Sequence, residues 1–230
     1  MKRVVLSFVL VLILGLTAKG ADTVLITMTS NKSGVVKFSL QGSGTVMIDW
    51  GNGKIITRKI TASVRFFSLY YFKNSKRTIT VYGQNVTRLI CKSNQITSLD
   101  VSHNTTLKSL QCSKNQLTNL DVSKNTALKY LDCGKNQIEN LDVSTNKALI
   151  NLVSNENQLT CLNVSKNPAL MFLNIRKNQI SAEALNGIFD TLNGVIEEGK
   201  ILYILDNPGT KTCDQKIATD KEWKIDTSFI

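Results

Sequence analysis

From Val86 onward the chain repeats itself every 21 residues, and this period constrains the fold more than any other feature. VTRLICKSNQITSLDVSHNTT is followed by LKSLQCSKNQLTNLDVSKNTA, LKYLDCGKNQIENLDVSTNKA, LINLVSNENQLTCLNVSKNPA and a final LMFLNIRKNQIS. Leucine recurs at Leu89, Leu110, Leu131, Leu152 and Leu173. Two residues later come Cys91, Cys112, Cys133, Ser154 and Ile175, and three further on Asn94, Asn115, Asn136, Asn157 and Asn178. Each unit also splits in two: Leu110, Cys112 and Asn115 return ten residues later as Leu120, Val122 and Asn125. A period of this length is the mark of a stacked repeat, in which one unit cannot bury its own apolar face and neighbours share a core.

The alternations L-x-C and L-x-V send two side chains inward and one outward, so both sides of each coil read as short strands. The asparagines sit where the coil must turn with backbone groups facing inward. A carboxamide offers two donors and an acceptor there, against a cost of ~1–3 kcal/mol for each buried group left unpaired. Cysteine where leucine would stand suits a thin interior that two leucine columns would overfill. Parallel neighbours point these thiols the same way, so Cys91, Cys112 and Cys133 are expected as buried, unpaired small hydrophobes. Cys161 and Cys213 lie outside the column, and a bridge between them stays open.

The pattern LxxLxCxxNxLxxLDVSxNxx resembles the 21-residue leucine-rich repeats of secreted bacterial, internalin-like proteins, over residues 86–180. The resemblance implies a right-handed solenoid used for protein recognition, with no named partner; an adhesion role is the first expectation for function. Before the repeats, residues 22–84 are rich in Val, Ile, Thr and aromatics and broken by Gly-Ser, Asn-Gly and Asn-Ser turns. About six strands in a small antiparallel β-sandwich are expected there. The stretch IDWGNGK resembles the turn of PKD-like sandwich domains. Ile79 and Val81 are expected to hand this sheet to the first coil.

The expected fold is therefore mainly β: an N-terminal sandwich cap (22–84), leucine-rich repeats (85–180) and a C-terminal repeat variant with cap (181–230). In that last part Ala184, Leu185, Ile188, Phe189 and Leu192 recur at helical spacing, started by Ser181 and stopped by Asn193-Gly194. ILYILDN then restores the repeat, with Ile217 and Trp223 packed over the end. At the N-terminus, Lys2 and Arg3 precede an apolar run from Val4 to Leu16 and small residues Ala18 and Gly20. That is the layout of a signal peptide over residues 1–20, placing the mature chain at the cell surface, in the periplasm or outside the cell. The run is too short to span a bilayer, so no membrane span is expected once it is removed, and the mature chain is expected as a monomer.

The formal net charge is +11, and removing Lys2, Arg3 and Lys19 leaves +8. Lys114, Lys124, Lys135, Lys166 and Lys177 recur in repeat loops and read as a solvated face, with glycan or polyanion binding as the alternative to a protein partner. No nucleic-acid partner and no cofactor are indicated. His103 is the single histidine and occupies an outward repeat position; no Ser/His/Asp set, HExxH or Gly-rich phosphate loop is present, so no enzyme is expected. The column Asp100, Asp121 and Asp142, continued by Asn163, lacks the six or more oxygens of a calcium cage.

Outward positions of the first strand of each coil make a sheet face. One column runs Arg88, Ser109, Tyr130, Asn151, Phe172 and Ile201; the next Ile90, Gln111, Asp132, Val153, Asn174 and Tyr203; a third Lys92, Ser113, Gly134, Asn155, Arg176 and Leu205. Inward positions hardly change from coil to coil whereas these vary, leaving them free to answer to a ligand. Arg88, Tyr130, Asp132, Phe172, Asn174, Arg176 and Tyr203 are the candidate binding residues, because aromatics and arginine dominate binding hot spots. A structural spacer without a dedicated site remains the third reading.

Overall fold

Apolar and polar residues alternate between residues 24 and 83, and the alternation produces six strands: β1 (Val24–Ser30), β2 (Gly34–Gly42), β3 (Gly44–Asp49), β4 (Ile55–Ile60), β5 (Arg65–Tyr71) and β6 (Arg77–Gly83). The structure, a computed structural model, describes residues 23–71, 76–194 and 199–226. The expected signal peptide lies outside the described residues. Phe38 of β2 lies 5.4 Å from Trp50 and 5.5 Å from Phe67, centroid to centroid. The Tyr71 hydroxyl donates to the Trp50 carbonyl at 2.6 Å. Aromatic packing thus joins two facing sheets.

The IDWGNGK turn closes by side-chain acceptors. Asp49 Oδ1 takes the Gly51 N–H at 2.8 Å and Asn52 Oδ1 the Lys54 N–H at 3.1 Å. Gly51 has φ 69°, and a Cβ there would stand 2.3 Å from the Thr78 carbonyl oxygen. Only glycine fits.

The repeats follow as β7 (Val86–Ile90), β8 (Ile96–Asp100), β9 (Ser109–Gln111), β10 (Tyr130–Asp132), β11 (Asn151–Val153) and β12 (Phe172–Asn174). Then come α1 (Ala182–Thr191), β13 (Ile201–Tyr203), α2 (Lys216–Thr219) and β14 (Lys224–Ile225). The first-side strands pair in parallel without register slip: Leu89, Leu110, Leu131, Leu152, Leu173 and Leu202 stand opposite one another. All six leucines are fully buried, as are Cys91, Cys112 and Cys133.

Two expectations about connectivity are corrected. Ile79 and Val81 do not meet the first coil: Ile79 faces Met28 and Val81 faces Ile48, in the middle of a five-stranded sheet ordered β4-β3-β6-β1-β8. The handover is double instead. β1 pairs antiparallel with β8, and β2 pairs antiparallel with β7 in a nine-stranded sheet ordered β14-β13-β12-β11-β10-β9-β7-β2-β5. The first coil is thereby clamped on both sides, which removes the open strand edge a solenoid would otherwise present. The second sides of the coils also differ from the expected strands, since only β8 forms one there among the described residues. In later coils one backbone bond per coil, such as Gln137 N–H to the Leu117 carbonyl at 2.8 Å, joins these sides.

At the other end Ser181 accepts the Ala184 N–H at 3.1 Å and starts α1, whose Leu185, Ile188 and Phe189 are buried. Such an N-cap contributes about 1 kcal/mol. Trp223 is buried and donates from Nε1 to the Asn193 carbonyl at 3.1 Å, whereas Ile217 is half-buried against the core. Lys200, also buried, donates through Nζ to the Lys221 and Asn193 carbonyls, which satisfies two of its N–H donors beneath the cap. Gly209 stands where a Cβ would meet the Ala182 nitrogen at 2.1 Å.

Candidate recognition face

The face is held from beneath by amides. Asn115 Oδ1 accepts the N–H groups of Asn94 and Ile96 at 2.9 and 3.1 Å, and its Nδ2 donates to the Cys91 and Cys112 carbonyls at 3.0 and 2.8 Å. Asn136, Asn157, Asn178 and Asn207 repeat the donor half of this arrangement coil by coil. The residue before each asparagine adopts positive φ: Ser93, Lys114, Lys135, Glu156, Lys177 and Asp206, at 53–60°. Each N–H from Ser93 to Lys177 reaches a carbonyl of the next coil, at 2.8–3.2 Å. A left-handed residue costs roughly 1–2 kcal/mol, and these bonds offset it. Lys114, Lys135 and Lys177 thus occupy backbone corners with exposed side chains, and Lys135 Nζ lies 3.1 Å from Glu156 Oε1.

Register places the three outward columns side by side as the repeat spacing requires. Their exposure is less uniform. Tyr130, Phe172, Arg88 and Arg176 are half-buried, whereas Asp132, Asn174 and Tyr203 are buried at 7%, 8% and 6%. Asp132 is tied down by Lys92 Nζ at 2.6 Å and Ser113 Oγ at 3.1 Å, and its other oxygen accepts the Gly134 N–H at 3.3 Å. Asn174 Oδ1 likewise accepts the Arg176 N–H at 3.3 Å. Tyr203 lies against Phe172, centroids 5.4 Å apart, with its hydroxyl donating to Asp226 at 3.3 Å. These three close strand ends and pack neighbours, so of the seven candidates Tyr130, Phe172, Arg88 and Arg176 are the accessible ones. Lys92 and Ser113, which fix Asp132, belong to the column pattern but were not singled out by residue type.

Tyr130 and Phe172 stand two strands apart, about 10 Å at ordinary strand spacing. Burial, then the Asp132 carboxylate, raise the Tyr130 phenol above its ordinary range, so it is a neutral donor at physiological pH. Arg88 Nε donates to Ser109 Oγ at 3.3 Å. Gly134 is bare because the Asn155 side chain lies across it, its Oδ1 2.4 Å from where a Cβ would stand.

The aspartate column and His103 have local partners. Asp100, Asp121 and Asp142 each accept a serine N–H two residues on at 2.8 Å, and Asn163 does so at 2.9 Å. These serine N–H groups hold the three carboxyls below the ordinary range. Among the described residues no three His, Cys, Asp or Glu side chains gather as metal ligands. His103 is exposed, its Nδ1 3.2 Å from Ser102 Oγ.

All five cysteines are free, so the open Cys161–Cys213 pairing is not formed; Cys161 is exposed and Cys213 half-buried. Burial pushes the Cys91 and Cys133 thiols up to about 12 and Cys112 well above its ordinary value. Ellman titration of the native protein is expected to modify Cys161 rapidly and Cys213 more slowly. The three ladder thiols should react only after unfolding; their modification in the native state would contradict the closed interior.

Parallel strands in 21-residue register, a buried leucine–cysteine–asparagine interior and a varied outer face define a leucine-rich-repeat solenoid. Residues 105–146 match the family model described as Leucine Rich repeats (2 copies). The functional domain of InlJ from Listeria monocytogenes, described as including a cysteine ladder, is 29% identical with a TM-score of 0.45, over 57% of this chain and 32% of that one. An internalin (inlF) from Listeria monocytogenes is 23% identical with a TM-score of 0.48, over 60% and 39%. A leucine-rich-repeat protein of Leptospira interrogans is 21% identical with a TM-score of 0.43, over 55% and 38%. The chain thus spans well under half of each of these solved chains. No curated protein matches the sequence.

Proposed function

We propose that the protein is an exported recognition module that binds another protein, in adhesion or a related surface role, through the outward face of β7 and β9–β13. The observation that carries this reading is the contrast between an interior repeated coil after coil and an outer face that changes at every coil, with Tyr130 and Phe172 mounted on short strands held in register. A protein partner suits such a surface, since aromatic side chains on a fixed scaffold lose little entropy on binding. The positively charged, apolar N-terminus supports export. No helix among the described residues is long and apolar enough to cross a membrane. Glycan binding through the loop lysines is less well supported, because residues 85–230 hold sixteen Lys and Arg against fifteen Asp and Glu, a net of +1.

Protease shaving of intact cells followed by crosslinking tests location and supplies the partner. Against that partner, the double variant Tyr130→Ala, Phe172→Ala is expected to weaken binding at least tenfold, while the loss of the Phe172–Tyr203 pair lowers stability by only about 1 kcal/mol. Unchanged affinity would remove this face from consideration.

A further inference from the structure

We propose that the outer edge of β5 takes up an acidic, extended protein segment as an added strand. This goes beyond the strand-face reading and involves different residues. β5 is the end strand of the nine-stranded sheet and pairs only with β2 among the described residues. Its seven residues offer about 23 Å of edge. An edge of this length is normally paired or covered.

Much of the apolar exposure lies on or beside it, at Val35, Val64, Phe66 and Tyr70. The exposed large hydrophobic side chains of the described chain are Val35, Ile55, Val64, Phe66 and Tyr70, none of them on the repeats, and Phe66 is 78% exposed. Val35 faces Tyr70 across the β2–β5 pair, and Lys37 faces Ser68 between them and Phe66. Alternate side chains of an added strand would lie against this surface.

Charge decides which strand. Residues 23–84 hold nine Lys and Arg against the single acid Asp49, a net of +8, so nearly all the positive charge left after the leader lies here rather than in the repeats. The Asp49 carboxylate is engaged by its own turn. Arg65 Nη1 reaches the Lys59 carbonyl at 3.4 Å, so the basic end strands of both sheets, β4 and β5, lie together. A second copy of this edge would bring another segment of net +8 against this one, which opposes self-pairing, whereas a strand bearing Asp or Glu would meet opposite charge. A strand edge with no second partner strand among the described residues, together with the apolar side chains, favours a polypeptide over a polysaccharide, which would use the cations alone.

The test uses the purified protein and a fluorescein-labelled octapeptide of alternating Glu and Val, with Lys-Val as control, read by anisotropy at low salt. The Glu-Val peptide is expected to bind at least tenfold more tightly than Lys-Val. It should slow amide hydrogen exchange within residues 65–71, and lose at least tenfold in affinity on Arg65→Glu with Lys59→Glu. Phe66→Ser should weaken binding while leaving exchange in the repeats unchanged, which separates lost docking from lost folding. Absence of binding at millimolar peptide, protection confined to the repeats, binding of a heparin decasaccharide but not of the peptide, or a dimer abolished by Phe66→Ser would each overturn the proposal. None of these outcomes depends on Tyr130 or Phe172.

Discussion

Asn115→Ala is expected to lower the unfolding free energy by about 4 kcal/mol, and the melting temperature by about 10 °C. Besides a longer contact from Nδ2 to the Ser113 carbonyl at 3.4 Å, the side chain makes four hydrogen bonds that bind two coils together, and Asn94, Cys91 and Cys112 at their ends are buried. Alanine would leave two N–H groups and two carbonyls without these partners. The other ladder provides an internal control. Asn125 Nδ2 donates to the Val101 and Asn104 carbonyls at 2.9 and 2.8 Å, but its Oδ1 has no partner. Asn125→Ala therefore removes two bonds and should cost about 2 kcal/mol. Asn115→Asp keeps the acceptor but turns oxygen toward two carbonyls, and should be no better than alanine. Urea unfolding of the three variants checks the order; a smaller loss for Asn115→Ala than for Asn125→Ala would show that the four-bond amide is not what joins the coils.

Leu131→Ala is expected to cost about 3 kcal/mol, within the range of cavity-forming core truncations. Leu131 is fully buried and stands between Leu110 and Leu152 in the parallel register. A solenoid relaxes poorly around such a gap, because each coil is held at fixed spacing by its neighbours. Since stability in such a stack is shared between nearest neighbours, amide exchange should rise first around β9–β11 and least in the β1–β6 pair. Uniform loss of protection across the whole chain would show instead that the clamp between the N-terminal sheets and the first coil makes the molecule a single cooperative unit.

Legibility in the sequence followed repetition. The leucine, cysteine and asparagine columns were readable because identical residues at fixed spacing can only mean identical environments, and the helix over residues 182–191 followed from Ser181 and the spacing of Leu185, Ile188 and Phe189. The outward columns came from the same register. What each outward side chain does was not readable, because it depends on neighbours 19, 21 or 40 residues away: Asp132 is buried by Lys92 and Ser113, and Asn155 fills the space over Gly134. The positive-φ corners were missed because lysine and glutamate carry no signal for that conformation; the bond each N–H makes to the next coil imposes it.

The sequence by itself determined the period, the inward set and the existence of capping segments, since these follow from local alternation and from the cost of burying polar groups. Only the tertiary structure decided that both N-terminal sheets clamp the first coil, through β1–β8 and β2–β7, and that basic and apolar side chains converge on the outer edge of β5. The reason is physical: strand pairing between distant segments depends on which edges are left open once each local unit has formed, and no single segment carries that information.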